Sequence, residues 1–116
     1  MYSLTSANRY YLYQGFVRMN LGIDGLFKII RSEMKDLSPV SGDTFLFFGK
    51  NRQSVKILRW DGDGFLLYYK RLEGGSFELP TFNPNTGNYE ISYQVLSFIL
   101  NGVSLKSVRL RKRFTI

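Results

Sequence analysis

The sequence predicts an α+β fold, a single domain in which an antiparallel β-meander is packed by two helices. Three observations carry that prediction. Three short apolar or alternating runs (44–49, 54–60 and 65–71) follow one another with brief polar links, the pattern of a meander. A stretch before them and a stretch after them switch to helical spacing. Aromatic residues make up 16% of the chain, with ten Phe and eight Tyr, a composition suited to a β-rich core. At 116 residues the chain is sized for one hydrophobic core, so the domain is expected to span residues 1–116.

Taken in order, "RYYLYQ" (9–14) reads as a short strand through its tyrosines. In "NLGIDGLFKIIRSEMKDL" the period changes. Ile23, Leu26, Phe27, Ile30 and Met34 make one helical stripe, with Lys28, Arg31, Glu33 and Lys35 off it. Pro39 and Gly42 in "SPVSGD" break that helix. Thr44-Phe45-Leu46-Phe47-Phe48-Gly49 is a continuous apolar run too short for a helix, hence a buried strand. Lys50-Asn51-Arg52-Gln53 forms a polar, basic hairpin loop between it and the strand 54–60. After the strand 65–71, "SFELPTFNPNTGNYEIS" carries turn signals at Leu79-Pro80, Asn83-Pro84 and Thr86-Gly87-Asn88. Pro80 suggests an edge strand or an extended loop. A second helix is expected from Ser92, as N-cap, to Asn101, with Gly102 just beyond and Tyr93, Leu96 and Leu100 on one stripe. In the last stretch, "VSLKSVRLRKRFTI", Val108, Leu110 and Phe114 alternate with Arg109, Arg111 and Arg113.

The segment Trp60-Asp61-Gly62-Asp63-Gly64-Phe65 admits three readings. As a calcium loop counted from Asp61 it fails, because Phe65, Leu66 and Leu72 stand where a ligand, a glycine and a bidentate glutamate are required. As a two-metal centre with Glu73 it needs carboxylates held rigidly toward ions ~4 Å apart, and a solvated turn is a poor support for that. As a β-hairpin turn it uses glycine where positive φ is needed. The turn is the reading adopted. It pairs Trp60 with Phe65, Leu58 with Leu67 and Lys56 with Tyr69. Leu58, Trp60, Phe65 and Leu67 then face the core, while Val55, Ile57, Arg59, Leu66, Tyr68 and Lys70 form a mixed, half-exposed face.

Net charge is +7 and the isoelectric point is near 9.8. Such an excess attracts polyanions, or else simply maintains solubility. The chain has no cysteine and no histidine, so disulfides, thiolate nucleophiles, histidine bases and the commonest zinc ligands are absent. No catalytic residue, metal ligand or cofactor is expected. The first residues are polar, without the apolar stretch of a signal peptide, and no apolar run approaches the ~20 residues of a membrane span. The expected location is the cytoplasm.

The candidate nucleic-acid-binding residues are Lys50, Arg52 and Lys56 at the basic loop, Arg59, Tyr68 and Lys70 on the mixed sheet face, and Arg109, Arg111, Lys112 and Arg113 in the last stretch. In an extended strand, residues two apart project to one side at ~6.6 Å, a spacing that suits successive phosphates. The same cations would also serve as a charged edge that discourages aggregation.

"SGDTFLFFGKNRQSVKILRWDGDGFLLYYKRLEGGSFELP" resembles the central block of the TnpB-type accessory proteins of insertion-sequence-66 transposable elements. The residues that carry the resemblance are Ser41-Gly42, Phe45, Phe47, Gly49-Lys50, Lys56, Leu58, Trp60-Asp61, Gly64-Phe65, Tyr69-Lys70-Arg71-Leu72-Glu73 and Leu79-Pro80. It extends to "NRYYLY" on one side and to "FNPNTG" and "NGVSLKSVRLRKRF" on the other. One segment departs: where the family pattern is Asn/Asp-Met-Arg-Lys-Gly-Ile/Phe-Asp, this chain has Met19-Asn20-Leu21-Gly22-Ile23-Asp24, preceded by Arg18, and lacks the Arg-Lys pair. The resemblance implies a non-enzymatic role in bacterial DNA recombination, supporting transposition by a separately encoded transposase. DNA and that transposase are the expected partners. The alternative is an adaptor that docks on the transposase without touching DNA. A membrane partner is not expected.

Overall fold

The computed structural model describes residues 8–80 and 89–101. Among the described residues seven elements occur in this order: β1 (Tyr10–Phe16), α1 (Ile23–Glu33), β2 (Thr44–Phe48), β3 (Ser54–Trp60), β4 (Phe65–Arg71), β5 (Tyr89–Ile91) and α2 (Tyr93–Leu100). The strands form one five-stranded sheet in the order β4-β3-β2-β1-β5. The α+β class holds, and β2, β3 and β4 form the expected antiparallel meander.

The expectation of a wholly antiparallel sheet needs correction, because β1 runs parallel to β2. The cause is the connection: α1 crosses over the sheet and returns the chain to the end where β1 began, as a parallel pair requires. The short strand β5, which the sequence did not single out among its turn signals, pairs antiparallel with the other side of β1. Two extra residues interrupt the β1–β2 register between Leu12 and Phe16, a bulge that ends regular pairing near the strand's C-terminus.

The sheet is packed on both faces. Leu26 and Ile30 of α1, with Met34 at its C-cap, cover Tyr11, Phe45, Phe47 and Leu58. Leu96 and Ile99 of α2, with Phe77 and Ile91, cover Tyr10, Leu12, Leu46, Phe48, Val55 and Ile57. The continuous apolar run of β2 follows from this arrangement, since all five of its residues are buried in the middle strand. The α1 stripe is narrower than expected, with Ile23 and Phe27 only half-buried. On α2 the buried pair is Leu96 and Ile99, while Tyr93 is exposed. Ser92 caps α2 as expected, its Oγ accepting from the Val95 N–H at 3.1 Å. Residues 76–80, ending at Pro80, have no regular secondary structure. Gly102, the turns within 81–88 and the alternating last stretch lie outside the described residues.

The Asp-Gly segment is a hairpin turn in the register read from sequence: Trp60 pairs with Phe65, Leu58 with Leu67 and Lys56 with Tyr69. The Asp61 N–H donates to the Gly64 carbonyl at 2.7 Å. Gly62 has φ +90°, a conformation that side chains oppose. Trp60 and Phe65 close the turn edge to face, 5.0 Å between centroids.

Candidate nucleic-acid interface

The register gives the sheet two ends of different charge. At one end stand Asp43, the Asp61–Asp63 turn and Glu90. Two cations stand beside them among the described residues: Arg59, half-buried on β3 opposite Thr44, and Arg9, whose pKa is raised by a hydrogen bond to Tyr11 and by the charges of Tyr11, Glu90 and Asp43. At the other end the C-termini of β1, β2 and β4 meet the β2–β3 loop. Arg18, Lys50, Arg52 and Arg71 are exposed there. Arg71 pairs with Glu73 at 3.3 Å, both side chains exposed.

The basic loop is held firmly. Asn51 Oδ1 accepts from the Gln53 N–H at 3.0 Å, and Asn51 Nδ2 donates to Gln53 Oε1 at 3.1 Å. The Arg52 and Gln53 carbonyls accept from the Phe77 and Leu72 N–H groups at 2.6 and 2.7 Å. Those bonds fix Arg52 at φ +58°, a left-handed conformation that costs an L-residue about 1–2 kcal/mol. The lysine and arginine heads stay exposed on a backbone with little freedom.

Lys56 is used differently. Its Nζ donates to the Leu21 carbonyl at 2.7 Å and lies 5.7 Å from the centroid of the Tyr69 ring. It fastens the β1–α1 connection onto the sheet. Beside it opens a groove of about 860 Å³. Phe16, Arg18 and Met19 line it together with Lys50, Asn51 and Tyr69. None of the lining residues is acidic.

Of the six described candidates, Lys50 and Arg52 lie on the loop at the groove, and Lys56 lies on the α1 face of the sheet. Arg59, Tyr68 and Lys70 share the opposite face, together with the buried Val55 and Ile57. There Arg59 is half-buried and Tyr68 and Lys70 are exposed. Lys70 Nζ donates to the Leu100 carbonyl at 2.8 Å. This supplies a cation at the end of α2, whose last turn has no basic residue of its own. The candidates are thus divided between two faces joined at the basic end. Arg109, Arg111, Lys112 and Arg113 lie outside the described residues.

Sequence reasoning passed over Arg18, Met19 and Tyr69 as site residues. The usable signal was that three separate stretches of the family-like pattern, 18–24, 49–50 and 69–73, all come to this end. Only the strand order brings them together.

The two aspartates of the hairpin turn are exposed, and among the described residues no group of three or more His, Cys, Asp or Glu is placed to hold a metal ion. Among the described residues, no helix is long and apolar enough to cross a membrane.

Over residues 8–110 the chain matches the family described as IS66 Orf2 like protein. It belongs to that family. Two curated relatives, both from Sinorhizobium fredii, bear the name "uncharacterized protein". One, y4hO, is 32% identical over 95 residues, covering 82% of this chain and 80% of the relative. The other, y4jC, is 30% identical over 88 residues, covering 76% and 73%. No solved structure matches the chain significantly. Membership in the IS66 Orf2 like family gives the chain an accessory role associated with insertion-sequence transposition.

Proposed function

We propose that the protein is a non-enzymatic accessory factor that engages DNA, alone or with the transposase bound to it, through the basic end of its sheet and its C-terminal cations. The carrying observation is the separation of charge between the two sheet ends. Lys50 and Arg52 are exposed on a loop clamped by backbone hydrogen bonds, and Arg18 lines the groove together with Lys50. The C-terminal end of α2 reaches the same side through Lys70. The described residues hold eleven Lys and Arg against all nine Asp and Glu, so five of the seven excess charges follow Asn101 in sequence. Cations placed in this way suit phosphate contacts, which give affinity without reading base sequence.

A second reading has support from β4. Among the described residues it is the outer strand of the sheet and exposes Tyr68, Tyr69, Lys70 and Arg71. An open strand edge of this kind accepts a partner's strand by backbone pairing, which would suit an adaptor docked on the transposase. Capture of the element's transposase, repeated after nuclease digestion, separates the two readings. Loss of the complex on digestion, together with direct DNA binding by the purified protein, supports DNA engagement. A complex that survives digestion, with no DNA binding by the protein alone, supports the adaptor.

A further inference from the structure

We propose that the groove at the basic end receives unpaired nucleotides of single-stranded DNA, with Tyr69 as the stacking surface and Arg18 and Lys50 as phosphate contacts. The inference rests on the reading that the protein engages DNA, and it specifies the form of DNA this site takes.

Tyr69 is built as a fixed platform. Its hydroxyl lies 3.4 Å from Ser54 Oγ. Lys56 Nζ stands over the ring at 5.7 Å and is itself held by the Leu21 carbonyl. The ring therefore has little freedom left to lose on binding, yet the residue is 51% exposed.

The bases of a duplex have their faces covered by their neighbours, so an exposed aromatic ring gains stacking only from an unpaired base. Arg18 and Lys50 are exposed, and among the described residues neither side chain forms an ion pair. With no carboxylate in the lining, the groove favours an anionic occupant. Paired aromatic and cationic contacts of this kind hold single strands with little preference for sequence.

The test measures binding of a labelled oligo-dT, and of a duplex of equal length, to the full-length protein by fluorescence anisotropy. Each is repeated with Tyr69→Ala, with Tyr69→Phe and, as a control ring on the opposite face of the sheet, with Phe16→Ala. Removing the Tyr69 ring should lower single-strand affinity about tenfold, and Phe16→Ala should not. Duplex affinity should change less than about twofold, and Tyr69→Phe, which keeps the ring, should retain single-strand binding. A 2-aminopurine base in the oligonucleotide should be quenched by the wild-type protein and not by Tyr69→Ala. Equal losses for single strand and duplex, or no loss for either, would overturn the proposal while leaving DNA engagement standing. If Tyr69→Ala loses transposase capture with single-strand affinity unchanged, the groove belongs to an acidic peptide segment and the proposal fails. If the wild-type protein binds neither form of DNA, the broader reading fails with it.

Discussion

Tyr13 shows how one side chain ties two elements together and sets a pH dependence. Its hydroxyl donates to Glu33 Oε1 of α1 at 2.6 Å, and its ring packs 5.6 Å from Phe47. Burial first, and the Glu33 carboxylate second, push its pKa from 10.0 up to about 12. The folded protein thus holds this proton more tightly than the unfolded chain. The stability it contributes is complete below about pH 10 and is lost as pH rises from there to about 12. Phenolate absorbance should show a late step near pH 12 that Tyr13→Phe removes. Its absence in the wild-type protein would refute the assignment. A second residue-scale prediction concerns the hairpin turn. Gly62→Ala should destabilise by about 1–2 kcal/mol, because alanine must adopt φ +90°. Gly64 has no positive φ and nothing within 4 Å of an added Cβ, so Gly64→Ala should stay within about 0.5 kcal/mol of wild type. Denaturant midpoints measure both, and similar losses at the two positions would contradict the turn geometry.

At the scale of elements, α2 depends on contacts at its two ends. Ser92 satisfies a backbone N–H at the start, and Lys70 reaches across from β4 to the Leu100 carbonyl at the finish. Ser92→Ala should cost about 1 kcal/mol in urea unfolding. A cost near zero would mean the cap contributes nothing to the fold. This cap was legible in the sequence, as was the β3–β4 register, because both rest on residues close together in the chain: a serine before an apolar stripe, and glycines at a turn. The pairing of β1 was not legible. Its tyrosine-rich pattern fits a parallel or an antiparallel neighbour equally well, and only the crossover of α1 decides between them. The brief β5 was hidden among turn residues, since three residues are too few to display a period of two.

For the whole molecule, composition announced an excess of positive charge but could not say where it lay. The fold distributes it: the hairpin aspartates and Asp43 go to one end of the sheet, and Arg18, Lys50 and Arg52 to the other. Lys56 and Lys70 looked like further contact residues in sequence. In the fold their amino groups hold backbone carbonyls, because each lies where a loop or helix end passes over the sheet. The groove escaped sequence reading for a related reason, since its walls come from the ends of strands far apart in the chain.

The direct test of the account is the salt dependence of duplex DNA affinity, measured for the wild-type protein and for two variants with charges removed at opposite ends of the sheet. In the first variant Arg18, Lys50 and Arg52 become Gln; in the second Asp61 and Asp63 become Asn. For every phosphate left without its cation, the slope of log affinity against log salt should fall by about 0.9. The first variant is therefore predicted to drop by roughly two to three units of slope, on the order of one for each cation removed. The second is predicted to keep the wild-type slope. Equal slopes for the wild-type protein and the Arg18, Lys50 and Arg52 variant would contradict the account.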